Sequence, residues 1–252
     1  MTLYLIGLGL SDQRDISVKG LEAVRRCDKV YLENYTSLLQ CTVYDLEKFY
    51  GKKIILADRE MTEQGEDHIL EEARKKEVAF LVVGDPFSAT THIELFKQAL
   101  TKKISVEIIN NASVLTAVGI TGLQLYKFGK TTSIPFIEDH PHLETPYQVL
   151  KENHGFGLHT LFLLDLKPKE NKFLSIKKAL ETLEQIEEHK KEELITKNTK
   201  VIGCARLGSD NYVIKYGTLE EIKQKDFGLP PYCLIIPGQV HFMEEEMLHL
   251  WK

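Results

Sequence analysis

Short apolar runs closed by glycine alternate with stretches of helical periodicity along the first half of this chain, and that alternation leaves few folds open. Leu3–Leu8 is almost wholly apolar and runs through Gly7 to Gly9; Ala79–Val83 is equally apolar and stops at Gly84. A strand wetted on one face alternates apolar and polar residues, so an unbroken apolar run marks a strand covered on both faces, as in a parallel sheet. After the first run, Ser17 offers an N-cap, and Val18, Leu21 and Val24 recur at helical spacing. Arg25 and Arg26 then fall where a helix end favours cations. Lys29–Leu32, Lys53–Ala57 and Val106–Ile109 supply further strands, and Glu66–Lys76 and Thr91–Leu100 further helices. Strands alternating with helices predict βαβ units and a parallel sheet, and the pattern runs cleanly to about Gly129.

Beyond that the texture changes. Ser133–Phe136, Thr160–Asp165, Val201–Ala205, Tyr212–Tyr216 and Cys233–Ile236 read as strands, with one long amphipathic helix presenting Ile176, Ala179, Leu180, Leu183 and Ile186 on a single face. The charged EEHKKEE at 187–193 reads as the solvated side of that helix. Gly217, following Tyr212–Tyr216, suits the start of an antiparallel segment. The expectation is an α/β protein of two α/β domains, residues 1–130 with a mainly parallel sheet and residues 131–252 with a mixed one.

Charge and composition exclude several functions. The formal net charge of -5 over 252 residues supplies no global field for nucleic acid or an anionic membrane, so neither is expected as a partner. No apolar run approaches the roughly 18–20 residues of a membrane span. The opening MTLYLIGLGLSD lacks a basic leader and reads as a buried strand. Cys27, Cys41, Cys204 and Cys233 show no CxxC spacing and read as reduced thiols packed as small hydrophobes in a cytoplasmic protein. The histidines form no HExxH element and no metal site is expected; no GxSxG elbow marks a nucleophile.

Three glycine-bearing turns follow strands. GLGLSD, at Gly7–Asp12, lacks the third glycine of a dinucleotide fingerprint, where Asp12 stands, and the lysine of a phosphate loop; alone it reads first as a tight strand-to-helix turn. In GDPFSATTH, at Gly84–His92, Pro86 biases Asp85 toward extended backbone and projects a loop from the strand end. Ligands of open α/β sheets bind at the carboxyl ends of strands, which would aim Asp85 into a crevice to meet a cationic amino group; Asp85 and Thr90 could equally cap the next helix. In NNASVLTAVGITGLQLYKFG, at Asn110–Gly129, the small residues Ala112, Ser113, Ala117, Gly119 and Gly122 would let a helix pack tightly on the sheet.

Together these segments resemble the tetrapyrrole-methylase superfamily, the class III methyltransferases outside the common Rossmann type. The resemblance rests on YLIGLGLSDQRDISVKGLEAVRRCDKVYL and on Gly84–Asp85–Pro86. Within it, YLIGLGLSD, KGLEAVRRCDKVYLENYTS, ADRE, VVGDPFSATTH, NNASV, GLQLYKFG, HTLFLLDLK, ARLGSD and LIIPG are similar, in order, to the diphthine synthase family over essentially the whole chain. That resemblance implies S-adenosyl-L-methionine as cofactor, leaving as S-adenosyl-L-homocysteine and held in a cleft between the two domains. It implies cofactor contacts at Leu10, Asp85, Ser88, Ser113 and Val114 in the first half and at Leu164, Leu207 and Tyr232 in the second, many through backbone groups. The family often has a small residue where Ser88 stands and histidine near Tyr232, so contacts there are assigned to the backbone. The implied reaction methylates the 3-amino-3-carboxypropyl-histidine of translation elongation factor 2, the diphthine step of diphthamide biosynthesis, and the implied assembly is a homodimer. The stretch IEDHPHLETPY would shape the protein-substrate entrance. No catalytic residue is assigned; Asp165 and His92 are candidates for proton acceptor by location alone. Two rivals stand beside this reading. One is a tetrapyrrole-type small-molecule methyltransferase, against which the missing GPGDP-type first turn counts. The other is an inactive cofactor-binding homologue, against which Asp85 and the small residues count.

Overall fold

The apolar runs are strands covered on both faces in the computed structural model, which describes residues 1–35, 37–58, 66–140 and 143–252. Arg59 and Glu60 of the ADRE motif, Thr36, and Pro141 and His142 of the expected entrance stretch lie outside the described residues. The chain divides into two units, Met1–Ala117 and Val118–Lys252. The first unit runs β1 (Thr2–Gly7), α1 (Val18–Arg26), β2 (Lys29–Glu33), α2 (Val43–Tyr50), β3 (Ile55–Ala57), α3 (Glu66–Ala73), β4 (Val78–Val82), α4 (Ile93–Thr101), β5 (Ser105–Ile109) and the short α5 (Val114–Ala117). Its strands form one sheet in the order β3-β2-β4-β1-β5, with every pairing parallel. Alternate residues of β1 and β4 enter opposite cores. Tyr4, Ile6, Ala79 and Leu81 pack on one face, and Leu3, Leu5, Val78, Phe80 and Val82 on the other. Each such Leu, Ile or Phe contributes about 1.5–3 kcal/mol on burial, which is why neither strand carries a polar register. Ser17 caps α1 as expected, its Oγ accepting the Gly20 N–H at 3.1 Å.

The second unit runs β6 (Thr132–Ile134), α6 (Thr145–Gly155), β7 (Thr160–Leu164), β8 (Leu166–Lys167), β9 (Lys172–Phe173), α7 (Ile176–Lys190), β10 (Lys200–Ala205), β11 (Val213–Thr218), α8 (Leu219–Lys223), β12 (Tyr232–Ile236) and α9 (Phe242–His249). Its main sheet has the order β11-β10-β12-β7-β6. Only β6 and β7 pair in parallel, so the sheet is mixed; β8 and β9 form a separate ribbon. The apolar stripe of α7 is buried against this sheet together with Phe162, Val201 and Leu234. Gly203 leaves room for Phe227, whose Cζ would lie 2.3 Å from a Cβ there.

The second compact unit begins at Val118, and the segment that follows is bonded within it. The Trp251 indole donates to the Thr121 carbonyl at 3.0 Å, and His159 accepts the Gly129 N–H at its carbonyl and donates its own N–H to the Lys127 carbonyl, each at 2.9 Å. The helix expected after Asn110 lasts only Val114–Ala117 before two 3-10 turns, Val118–Thr121 and Leu125–Lys127. Gly122 interrupts it, with a φ of 93° and Met247 packed where a side chain would go. The charged 187–193 run is not one solvated helix face: α7 stops at Lys190, Lys191 turns left-handed at φ 55°, and Glu187 folds back to accept the N–H groups of Glu192, Glu193 and Ile195, each at 2.8 Å.

Glu244 holds the 3-10 segment and α9 together. Its buried carboxylate accepts the Gln124 N–H at 2.9 Å, the His241 N–H at 2.7 Å and the His159 Nε2–H at 3.0 Å, and pairs with Lys127. Gly238 donates to His159 Nδ1 at 3.0 Å, which fixes that ring as the neutral tautomer. Burial raises the Glu244 pKa, but the His241 and Gln124 N–H groups, Lys127 and His159 outweigh it and hold the carboxyl at about 2. A depressed folded pKa gives stability that is present above the ordinary carboxylate value and is lost as pH falls toward the folded one. Glu244→Gln is therefore expected to cost about 2–4 kcal/mol near neutral pH. In urea titrations the gap from the parent chain should narrow as pH falls to about 3; a gap that stays constant with pH would contradict this role.

Candidate active site

The carboxyl edge of the first sheet gathers the three glycine-bearing turns, because β4, β1 and β5 lie side by side. Gly9 and Gly84 form a two-bond bridge, Gly9 N to Gly84 O at 3.2 Å and Gly84 N to Gly9 O at 2.8 Å. Gly7 has no space for a side chain: a Cβ there would lie 2.6 Å from the Gly84 carbonyl and 2.8 Å from Asn111 Cβ. Gly84 is required for a different reason, a φ of 82° that L-residues rarely adopt. A Cβ there would make only ordinary contacts, with the Ala112 carbonyl at 3.7 Å and Leu10 Cδ2 at 3.8 Å, so conformation and not space calls for glycine. The Asp15 carboxylate holds the first turn, accepting the N–H of Leu10 at 3.2 Å and of Ser11 at 2.7 Å.

Asp85 is a tie between loops. One oxygen accepts the Phe87 N–H at 3.0 Å and the Ser88 hydroxyl at 3.1 Å; the other accepts Asn110 Nδ2 at 2.9 Å and the Asn111 N–H at 3.2 Å. Burial alone would raise its pKa, yet Asn110 and the N–H groups of Phe87 and Asn111, with Ser88, hold it below the usual carboxylate range. Of the two readings of this carboxylate, ligand pairing and capping of its own loops, the four donors that occupy it favour the second. Asn111 continues the tie. Its Nδ2 donates to the carbonyls of Gly7 at 3.0 Å and Asp15 at 2.9 Å, and its Oδ1 accepts the Ala112 N–H at 2.7 Å. Ser113, buried, caps the following turn by accepting the Leu115 N–H at 3.2 Å. Leu10, Asp85, Ser88, Ser113 and Val114 thus sit on the three loops of one sheet edge.

The second unit collects its expected residues the same way. β7 and β10 both run antiparallel to β12, so their carboxyl ends meet its start. Tyr232 pairs with Ala205, and Leu163 with Cys233, which sets Leu164, Leu207 and Tyr232 at one end of that sheet. The loop after β10 is shaped by Arg206, a residue that sequence reasoning missed. It is buried, left-handed at φ 52°, and its guanidinium donates to the carbonyls of Asn211 at 3.0 Å, Phe227 at 3.0 Å and Leu229. The Tyr232 hydroxyl donates to the Gly228 carbonyl.

This arrangement, a parallel sheet whose glycine loops meet at the carboxyl edge followed by a mixed sheet, agrees with the comparisons to known proteins. The model for Tetrapyrrole (Corrin/Porphyrin) Methylases matches residues 2–223. A diphthine methyl ester synthase of Candida glabrata is 48% identical, over 98% of this chain and 88% of that protein. A diphthine synthase of Methanococcus vannielii is 44% identical, over 98% of this chain and 97% of its own length. A solved diphthine synthase structure matches with a TM-score of 0.91 at 39% identity, covering 100% of this chain and 96% of that one.

The chain belongs to the diphthine synthase branch of the tetrapyrrole methylases. It is a methyltransferase by that membership. The two candidate proton acceptors of this methylase differ in setting. His92 is buried against the Phe80 ring, 3.6 Å from Glu33 Oε2, and burial pushes its pKa down to about 4. Asp165 is half-buried, and one of its oxygens accepts the Leu166 N–H at 2.9 Å. Asn111 and Asp15 are the further residues that sequence reasoning missed in the first unit; the paired asparagines of NNASV were the available signal. Asn111→Ala is expected to cost about 2–3 kcal/mol by leaving the Gly7 and Asp15 carbonyls without donors. Asn111→Asp should be no milder, because it turns a carboxylate toward both carbonyls. Urea denaturation of the two variants checks this, and parent-like stability in Asn111→Asp would refute it.

Proposed function

We propose that this methyltransferase moves methyl groups from S-adenosyl-L-methionine to the amine of a 3-amino-3-carboxypropyl group on a histidine of translation elongation factor 2, the diphthine step of diphthamide biosynthesis. The observation that carries the reading is similarity along nearly the whole chain to proteins named diphthine synthase and diphthine methyl ester synthase. In the first unit the proposed cofactor residues are Leu10, Asp85, Ser88, Ser113 and Val114; in the second they are Leu164, Leu207 and Tyr232. The residues present suit such a group. Beside Gly84 the edge presents the Ala112 carbonyl and the apolar Leu10 side chain, groups that can meet a ligand through a backbone acceptor and apolar contact.

When bound, the cofactor supplies an electrophilic methyl group on a sulfonium, and the chain's task is mainly placement. Asp85 positions the loops; four accepted hydrogen bonds make it a poor proton acceptor. His92 is poorly suited as well, since a buried imidazole with a pKa near 4 gains little by taking a proton. The substrate amine must still be neutral to attack, and desolvation at the site favours its neutral form. On this reading the enzyme works in the cytoplasm, where its substrate is, as a homodimer.

Incubation with labelled S-adenosyl-L-methionine and elongation factor 2 carrying the aminocarboxypropyl histidine should place label on that histidine, with mass spectrometry counting the methyl groups. Label absent there, with cofactor bound, would sink the substrate assignment. Asp85→Asn turns an amide N–H toward donors that now face oxygen, and should raise the cofactor Kd about tenfold or more; unchanged calorimetric affinity would count against the loop tie.

A further inference from the structure

The outer edge of the second sheet carries a basic groove that the cofactor assignment does not use. It encloses about 470 Å³ and is lined by Lys200, Lys215, Lys225, Lys252, Trp251 and Glu221, with residues of β11 as its floor. Four lysines and one glutamate line it, in a chain whose formal net charge is -5. Among the described residues none of the four lysines has an ion-pair or hydrogen-bond partner for its ammonium group. Lys215 only approaches the Phe227 ring, 5.7 Å from its centroid. Glu221 accepts the Thr218 N–H at 2.7 Å in a capping box at the start of α8, and the Thr218 bonds, with the charges of Lys200 and Lys225, hold its pKa down. One carboxylate offsets only part of the charge of four lysines, which leaves a net positive field over the concavity.

The floor of the groove is an edge strand. β11 pairs with β10 on one side only. The Tyr216 N–H turns away from β10 and donates to the Trp251 carbonyl at 2.8 Å. Peptide groups alternate sides along a strand, so those of Ile214, two residues earlier, also face outward. They have no backbone partner among the described residues. An edge with open peptide groups flanked by lysines accepts an added strand better than it accepts a nucleic acid, which needs no backbone ladder.

We propose that this groove docks an acidic, extended segment of the protein substrate, pairing its backbone at Ile214 and its carboxylates with Lys200, Lys215 and Lys225. The proposal rests on the protein-substrate reading above and adds where that substrate is gripped. Charges at the rim of an interface act mainly on encounter and on salt dependence, so the effect belongs in KM.

The test compares the parent chain with Lys200→Glu/Lys215→Glu/Lys225→Glu, and with Lys200→Gln/Lys225→Gln, which alters only exposed side chains. With elongation factor 2 as substrate, the triple variant should raise KM about tenfold and flatten its salt dependence, leaving kcat and the S-adenosyl-L-methionine Kd within about twofold. The double variant should shift KM the same way by a smaller factor. An unchanged KM in both, with the parent chain active, would overturn the groove and leave the function standing. If the parent chain transfers no methyl group, the function fails and the groove is judged by binding of a fluorescent peptide of alternating Glu and Val. Binding that is lost in the triple variant and on N-methylation of alternate peptide bonds supports it. No binding, or tighter binding of oligouridylate than of the peptide, overturns it.

Discussion

One carboxylate, Asp85, sets the shape of the candidate site. A loop leaving β4 and a loop leaving β5 have no reason of their own to meet, and each exposes peptide groups that must be satisfied. Asp85 accepts from both loops, and Asn111 carries the connection on to β1 through the Gly7 and Asp15 carbonyls. The glycines follow from this geometry. Gly7 must be small because Asn111 and the Gly84 carbonyl press on it, and Gly84 must turn left-handed to bridge Gly9. A charge that would cost several kcal/mol if buried alone is tolerated because four donors surround it.

The second unit solves the same problem with other groups. Its buried Glu244 is satisfied by two backbone N–H groups, a lysine and a histidine, and its buried Arg206 by backbone carbonyls. Each fixes a short segment outside the sheet: Glu244 the 3-10 turn at Leu125–Lys127, Arg206 the loop between β10 and β11. Rigid loops at strand ends suit a transferase that works by placement, since positioning a methyl donor and an amine requires little motion of the scaffold.

The strands were legible because burial on two faces leaves an unmistakable signature: β1 and β4 have no polar register at all. The stripe of α7 was equally plain, since Ile176, Ala179, Leu180, Leu183 and Ile186 all reach the core. The small helices α2 and α6 were not, because their apolar faces are short; Val43–Tyr50 buries only Leu46 and Tyr50. The stretch after Ala117 reads in the sequence as a continuing helix of small residues, and it is not one. What ends it is a long-range contact, Met247 packed on Gly122, and no local pattern encodes that. At the site, the glycines and Asp85 stood out as residue types, but the destination of the Asp85 carboxylate did not. A carboxylate after a strand can face a ligand or cap its own loops, and only the positions of Asn110 and Asn111 decide between them. Arg206 and Glu244 gave no signal because a lone charged residue is ordinarily at the surface.

Hydrogen exchange read by mass spectrometry, with and without S-adenosyl-L-methionine, tests the central claim most directly. If the loops tied by Asp85 hold the cofactor, its addition should slow exchange in the segments Leu8–Ser11, Asp85–Thr91 and Asn111–Leu115 while leaving α7 unchanged. Saturating cofactor that leaves those three segments unaltered and protects another part of the chain would contradict the account.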